Sequence, residues 1–258
     1  GMEAAVTLKQ RGFDVVVFDK RDEIGGNLHV AKKPPFKGKF EWAIDYYKSM
    51  AKKLNITMKL GKEVTAQEVL ALKPYSILVA TGSNVISIPL EGLDQVQTVQ
   101  AHDVLANDMQ FANKKVVVIG GGITGLETAL YINRQGTNQV SVVDMLPEWP
   151  VDMLDMRYQN EALLEVRHCN DQGVALFYNN KVVKFADGKL FIESTKDGEV
   201  KELPADVIVL SVGVKPNDAL WQELLASGHP SVWKAGDAIA TGKINKAVLH
   251  GSKFGYSL

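Results

Sequence analysis

A glycine-rich turn between an apolar run and a helical segment constrains this chain more than any other feature. Residues 116–119 are β-branched, six residues rich in glycine follow, and residues 126–135 have a helical pattern. In a dinucleotide-binding unit the first glycine allows a tight turn, the second lets the backbone approach a pyrophosphate, and the third lets the helix pack closely on the strand. Free N–H groups at the start of the helix hold the phosphate charge. We therefore predict a dinucleotide site that includes Gly120, Gly122, Ile123, Thr124 and Gly125.

An acidic residue follows the next apolar run and indicates which dinucleotide binds. Residues 140–143 lead into Asp144, which lies 24 positions after Gly120. A carboxylate at such a strand end accepts hydrogen bonds from the hydroxyls of the adenosine ribose and repels the 2′-phosphate of NADP. NAD is therefore the predicted ligand, and a glycine turn that serves only packing remains the alternative.

The N-terminus repeats part of this unit. A shift of 124 positions aligns four pairs of residues, namely Gly1 with Gly125, Glu3 with Glu127, Ala5 with Ala129 and Gly12 with Gly136. Residues 14–18 then lead to Asp19 as residues 140–143 lead to Asp144. The repeat lacks the strand and glycine turn that would occupy about nine residues before Gly1. We expect a piece of a longer polypeptide whose first sheet has two unpaired edges; a cloning remnant at Gly1 that aligns by chance is the alternative.

The remaining segments predict alternating helices and strands. Helices are expected at 40–53, 153–172 and 243–258, and strands at 56–60, 76–80, 207–212 and 232–235. Pro89 and Gly92 indicate a linker before residue 116. Strands at 174–177, 181–185 and 190–194 are expected to form an antiparallel meander, with hairpin turns at residues 187–188 and 197–198.

Composition excludes several classes of protein. The 29 basic and 30 acidic residues nearly cancel, which disfavours nucleic acid and anionic membranes as partners. The single cysteine, Cys169, cannot form an intramolecular disulfide, and no apolar run approaches the roughly 20 residues of a membrane span. With no signal peptide in the sequence, we expect a cytoplasmic protein. The histidines lack metal-ligand spacing, so no metal site is expected.

Taken together, these features resemble the flavoprotein reductases that have two dinucleotide-binding domains. The closer resemblance is to the C-terminal half of the NADH:flavin oxidoreductase group, which includes dienoyl-CoA reductase, enoate reductase and trimethylamine dehydrogenase. The motifs that carry it are Phe18-Asp19-Lys20, Glu23 to Leu28, Ala80-Thr81-Gly82, Gly120 to Glu127 and Ala235 to Ala238. The implied fold is α/β with two Rossmann-like domains. An FAD domain (1–112 and 214–258) that lacks its first strand encloses an NAD domain (113–213).

The resemblance also implies cofactors and site residues. FAD and NAD would bind, with Asp19 at the adenosine ribose of FAD, Asp237 at its ribityl chain and Glu127 near the nicotinamide. From the residues alone, Glu127 is otherwise an exposed acid favoured by the helix dipole. The other expected cofactor-binding residues are Gly1, Lys20, Gly25, Gly26, Asn27, Leu28, Ala80, Thr81, Gly82, Gly213 and Gly236. No catalytic side chain is expected, because hydride transfer occurs between the cofactors.

The function implied by the resemblance is an NADH-oxidising module. It would pass electrons from NADH to FAD and on to an N-terminal barrel with FMN and an iron–sulfur cluster, with an enoate, dienoyl-CoA or similar compound as the final substrate. A single cysteine excludes the disulfide-reducing branch of related reductases. Two alternatives remain: a fragment that binds NAD or an adenosine nucleotide without turnover, and a free-standing ferredoxin- or rubredoxin-type reductase. Whether the chain forms a homo-oligomer is left open.

Overall fold

The structure is a computed structural model that describes residues 1–147 and 156–258, which form two compact units. Unit 1 comprises Gly1–His29, Lys39–Asn84 and Val214–Leu258, and unit 2 comprises Val30–Gly38 and Val85–Gly213. The helix expected at 153–172 is observed from Met156, and its first three positions lie outside the described residues. No helix within the described ranges is long and apolar enough to cross a membrane.

The helices and strands of the described residues alternate along most of the chain. The helices are α1 (Met2–Gln10), α2 (Leu28–Ala31), α3 (Glu41–Lys53), α4 (Ala66–Ala71), α5 (Ala101–Ala106), α6 (Ile123–Asn133), α7 (Met156–Asp171), α8 (Ala219–Ala226) and α9 (Ile244–Ser257). The strands are β1 (Val16–Phe18), β2 (Thr57–Lys59), β3 (Ile77–Val79), β4 (Ser83–Val85), β5 (Gln97–Gln100), β6 (Lys115–Ile119), β7 (Gln139–Val143), β8 (Ala175–Phe177), β9 (Asn180–Ala186), β10 (Lys189–Ser194), β11 (Val200–Pro204), β12 (Val207–Leu210), β13 (Val214–Pro216) and β14 (Val232–Lys234).

Unit 2 is built on a parallel five-stranded sheet with the order β5-β12-β6-β7-β8. Successive side chains of a strand point to opposite faces, so Val116 and Val118 pack in a cluster with α5, α6 and α7. Val117 and Ile119 pack on the other face, against the antiparallel sheet β11-β10-β9. Because both faces of β6 are covered, its residues 116–119 are all apolar.

Two sequence expectations about unit 2 were wrong. The strand expected at 174–177 does not start the antiparallel meander, because β8 pairs in parallel with β7 and the third meander strand is β11. The segment expected as a linker contains β5 and α5, and β5 pairs in parallel with β12. The sequence Gln97–Gln100 has little apolar pattern, so its extended conformation depends on that pairing rather than on local propensity.

Unit 1 contains two separate parallel strand pairs, β1-β2 and β14-β3. The first pair packs with α1 and α3 through Ala5, Val6 and Tyr47. The second packs with α4 and α8 around Leu224, which is fully buried. Strands β4 and β13 form a further two-stranded sheet.

The sequence repeat relates the two units strand by strand. A Cβ atom placed on Gly125 would lie 3.3 Å from Ser211 Oγ, just after β12, and one on Gly1 would lie 3.7 Å from Ala80 Cβ, just after β3. Thus α1 corresponds to α6, β1 to β7 and β3 to β12. In unit 2, β6 lies between β12 and β7, whereas in the described part of unit 1 β3 and β1 belong to different sheets. The predicted α/β fold class is confirmed.

The limits of the two compact units differ in two segments from the domain limits expected from the sequence. Residues 85–112, which the sequence analysis assigned to the FAD domain, lie in unit 2, because β5 pairs with β12 and α5 packs on α6. Residues 30–38 lie in unit 2 as well. The assignment of FAD to unit 1 and NAD to unit 2 stays a prediction.

Candidate functional site

The glycine turn of unit 2 leaves open space at Gly122 and permits close packing at Gly120 and Gly125. A Cβ atom on Gly120, where φ is +110°, would lie 2.2 Å from the Ser211 carbonyl oxygen, and one on Gly125 would lie 1.9 Å from the Gly120 carbonyl oxygen. A Cβ atom on Gly122, the N-cap of α6, would meet nothing within 4 Å. No side chain caps α6 at this end, so its first N–H groups remain for a ligand. Ile123 and Thr124 form the first turn of the helix. These three glycines fit the requirements of a bound pyrophosphate.

Asp144 lies directly beside this turn. Its Oδ2 accepts a hydrogen bond from the Gly121 N–H at 2.5 Å, and its Oδ1 accepts one from the Leu146 N–H at 2.8 Å. A Cβ atom on Gly121 would lie 3.1 Å from Asp144 Cβ and 3.0 Å from a ring carbon of Tyr178. The two hydrogen bonds orient the carboxylate at the end of β7. The structure therefore brings Asp144 and the glycine turn together, as the spacing predicts.

Glu127 is buried on α6 rather than exposed. Its Oε1 accepts a short hydrogen bond from Lys37 Nζ, and its side chain is 10% exposed. Burial raises the pKa of Glu127, and the charge of Lys37 opposes that shift. The alternative of an exposed first-turn acid is thus wrong. The sequence analysis missed Lys37, because nothing in a Pro-Pro loop indicates which distant carboxylate its lysine will contact.

In unit 1, Asp19 lies near enough to Gly1 for its charge to act at that residue. Asp19 follows β1, and its Oδ1 accepts a hydrogen bond from the Arg21 N–H at 3.0 Å. Lys20 is exposed. The arrangement repeats that of Asp144 beside the start of α6, with Ala80 next to Gly1.

The loop from Gly25 to Leu28 adopts a conformation that needs glycine. Gly25 has φ +132°, and a Cβ atom there would lie 2.6 Å from His29 Nε2. His29 Nε2 in turn donates a hydrogen bond to the Ile24 carbonyl at 2.8 Å. Gly26 also has a positive φ, and Asn27 Oδ1 accepts a hydrogen bond from Arg21. The loop is therefore a tight turn, and its conformation requires glycine at position 25.

The last group of expected site residues follows β3 and β14. Thr81 Oγ1 donates a hydrogen bond to the Asn217 carbonyl at 2.5 Å, and the Asn217 N–H donates to the Gly82 carbonyl. Asp237 Oδ2 accepts a hydrogen bond from Ser83 Oγ at 3.3 Å.

The two remaining glycines of the expected site also make backbone hydrogen bonds. The Gly236 N–H donates to His250 Nδ1. Gly213 lies in unit 2, where its carbonyl accepts a hydrogen bond from the Ile86 N–H. Cofactor contacts of all these residues stay predictions.

Cys169 is buried on α7, and its thiol is expected to be unreactive. Its Sγ donates a weak hydrogen bond to the Leu126 carbonyl at 3.8 Å, and burial raises the pKa of the thiol to about 12. A thiol with such a pKa carries almost no thiolate at neutral pH. This fits a structural role in the core of unit 2.

Comparison with known proteins places the chain among flavoprotein reductases. It is 30% identical to an NADH oxidase of Thermoanaerobacter brockii over its whole length, and it spans 39% of that protein. It is 34% identical to a bilirubin reductase of Mediterraneibacter gnavus over 84% of the chain, and it covers 33% of that relative. The solved structure of 2-naphthoyl-CoA reductase with 2-naphthoyl-CoA is also similar, with 28% sequence identity and a TM-score of 0.88. The match covers 100% of this chain and 38% of the reductase chain.

These matches confirm the resemblance stated from the motifs. The chain spans well under half the length of each of these three proteins. The family model described as pyridine nucleotide-disulphide oxidoreductase matches residues 1–250. Members of that family bind FAD and NAD(P)H, the cofactor types expected from the sequence. Over nearly its whole length, this chain belongs to the pyridine nucleotide-disulphide oxidoreductase family.

Proposed function

We propose that the chain is the NADH-oxidising, FAD-binding module of a longer cytoplasmic reductase. Electrons would pass from NADH to FAD and on to an FMN and iron–sulfur barrel elsewhere in the parent protein. The relatives support a longer parent, because the chain spans only 33–39% of the NADH oxidase and the bilirubin reductase. An enoate, dienoyl-CoA or similar unsaturated compound is the proposed final substrate.

One observation carries the proposal: the open Gly122 at an uncapped helix start, with Asp144 held beside the turn. The N–H groups of α6 would bind the pyrophosphate of NADH, and Asp144 would accept hydrogen bonds from the adenosine ribose. Asp144 would repel a 2′-phosphate, which favours NADH over NADPH. In unit 1, Asp19 and Asp237 would hold the ribose and the ribityl chain of FAD. Bound FAD supplies the acceptor for the hydride of NADH.

An absorbance spectrum of the purified chain from about 300 to 550 nm tests the proposal, since bound flavin absorbs in this range. Anaerobic NADH is then added. Flavin bands that NADH bleaches would support the electron-input function. Flavin bands that persist in excess NADH would contradict it. Asp144→Ala serves as a matched variant, because it should slow bleaching without removing the flavin from unit 1.

A second function is favoured by the split sheet of unit 1. Because β1 and β3 belong to separate strand pairs in the described residues, the proposed FAD site of unit 1 would rest on two small sheets, whereas the proposed NADH site rests on one five-stranded sheet. The chain would then bind NADH or an adenosine nucleotide through unit 2 without turnover. A colourless protein that still binds NADH in a fluorescence titration would favour this alternative. A colourless protein that binds no dinucleotide would contradict both.

A further inference from the structure

His250 lies on α9 and contacts the turn that follows β14. The Gly236 N–H donates a hydrogen bond to His250 Nδ1 at 3.2 Å. Nδ1 is thus an acceptor, and the neutral imidazole has its hydrogen on Nε2. The helix lies directly against the turn, because a Cβ atom on Gly236 would lie 3.3 Å from Ala247 Cβ. The imidazole therefore attaches the start of the turn Gly236–Ala238 to α9.

Asp237 is the second residue of this turn, and its carboxylate can accept further hydrogen bonds. Oδ1 accepts a hydrogen bond from the Gly242 N–H at 3.0 Å, and Oδ2 accepts one from Ser83 Oγ at 3.3 Å. An ionised carboxylate accepts about four hydrogen bonds in all. The remaining lone pairs suit the hydroxyl groups of a sugar-alcohol chain such as the ribityl chain of FAD.

Close packing against α1 fixes the position of α9. A Cβ atom on Gly251 would lie 3.1 Å from the Ala4 backbone nitrogen, and one on Gly255 would lie 2.6 Å from Thr7 Cβ. Helix α1 is the helix of unit 1 that corresponds to α6 in the sequence repeat. Neighbouring residues of α9 therefore make different contacts: Gly251 permits the close approach to α1, and His250 holds the turn that contains Asp237.

We propose that His250 is a positioning residue for the FAD site, because its Nδ1 fixes the backbone at Gly236 and so the direction of the neighbouring Asp237 carboxylate. The inference rests on the proposed FAD-binding function of unit 1. His250 acts through the turn and needs no contact with the flavin. Neither the motif at residues 235–238 nor the family match assigns it this role.

The conformational freedom of glycine gives the expected direction of the effect. Gly236 has φ +63°, and a glycine backbone can leave such a conformation easily when nothing holds it. Without the acceptor on His250, the turn would spend less time in the conformation that orients Asp237. A ligand that binds one conformation has an apparent affinity that falls with the population of that conformation. FAD should therefore bind more weakly.

The experiment compares three variants of the purified chain. His250→Leu removes the acceptor, whereas His250→Asn keeps one, because Asn Oδ1 occupies nearly the place of Nδ1. His229→Leu is the matched control in the same unit. His229 Nδ1 also accepts a backbone hydrogen bond at 3.2 Å, from Ser231, but Ser231 precedes β14 and Gly236 follows it.

Two measurements are made on each variant at about pH 8, where an ordinary histidine is neutral. The FAD dissociation constant is obtained from flavin fluorescence after any bound flavin has been removed. Hydrogen exchange of the Gly236 amide is followed by NMR without FAD. Urea unfolding of each variant shows whether the fold is kept.

The expected result depends on the acceptor and not on packing. In His250→Leu the Gly236 amide should exchange about 3- to 10-fold faster, and the FAD dissociation constant should rise by a similar factor, the effect of one ordinary hydrogen bond. In His250→Asn both values should lie within about twofold of the unsubstituted chain, well under that effect. His229→Leu should leave both unchanged.

Other results would overturn the inference. Unchanged exchange at Gly236 in His250→Leu shows that the histidine does not hold the turn. Faster exchange with unchanged FAD affinity shows that the turn does not serve the flavin. Equal losses in His250→Asn and His250→Leu show that packing alone matters, and an equal loss in His229→Leu shows general destabilisation. If the unsubstituted chain binds no FAD, the proposed function fails, and the exchange rates still decide whether His250 holds Gly236.

Discussion

Gly122 and Gly125 lie in the same turn but should respond oppositely to the same added methyl group. Gly122 has φ −67° and ψ 172°, which alanine adopts without strain, and a Cβ atom there meets nothing within 4 Å. Gly122→Ala should therefore fold, at a cost of about 1 kcal/mol or less from the weaker N-cap. In Gly125→Ala the Cβ atom would lie 1.9 Å from the Gly120 carbonyl oxygen, a backbone atom that no side-chain rotation can move away.

The magnitudes separate the two variants. Overpacking typically costs about 1–3 kcal/mol and more where backbone must shift, so Gly125→Ala should lower the free energy of unfolding by at least that amount. In Gly122→Ala the new methyl group occupies the space where the pyrophosphate approaches the helix. Losing one hydrogen bond to a charged group costs about 1.5–3 kcal/mol, and about 1.4 kcal/mol corresponds to tenfold. The NADH dissociation constant should therefore rise by roughly 10- to 100-fold.

Urea unfolding and NADH titration on both variants test this reasoning. The expected pattern is near-normal stability with weak binding for Gly122→Ala, and low stability for Gly125→Ala. Binding within about twofold of the unsubstituted chain in Gly122→Ala, well under the cost of one hydrogen bond, would refute the assignment of the open space to the dinucleotide. Equal destabilisation of both variants would refute the packing argument.

Three further predictions concern single side chains. Asp144→Ala should weaken NADH binding by about 1–3 kcal/mol, because ribose hydroxyls lose their acceptor; a calorimetric titration with unchanged affinity would remove Asp144 from the site. Cys169 should resist a thiol reagent at pH 8 in the folded chain and react once urea unfolds it, since burial raises its pKa to about 12; rapid labelling of the folded chain is the contrary result. Hydrogen bonds from Lys62 and Thr65 lower the pKa of Glu68 from 4.5 to about 2, so its contribution to stability is present above pH 4.5 and is lost as the pH falls towards 2. Thr65 and Glu68 form the capping box at the start of α4. Acid unfolding of Glu68→Gln should lack that component, and an unchanged acid transition would contradict the stabilising role of this capping box.

Local rules explain why some elements could be predicted from the sequence. The hairpin between β9 and β10 turns at Asp187 and Gly188, both with positive φ, as an Asp-Gly turn requires. The strand, glycine turn and helix around Gly120 follow from conformational and packing demands that lie within a few residues of one another. Asp144 beside the turn follows from the fixed length of one strand-helix-strand unit.

Other features depend on partners far away in the chain. Residues 97–100 are extended because β12, more than a hundred positions later, offers a parallel edge. The strand at 175–177 has the same local pattern as a hairpin strand, and only its pairing with β7 places it in the parallel sheet.

By itself the sequence determined the fold class, the glycine turn, its acidic partner and the repeated half-unit at the N-terminus, because each follows from local conformational demands at regular spacing. Tertiary structure decided the membership of residues 30–38 and 85–112 in unit 2 and the pairing of Lys37 with Glu127 and Glu161. The physical reason is that strand edges and buried charges choose partners by proximity in space, and proximity across about a hundred residues is a property of the folded chain.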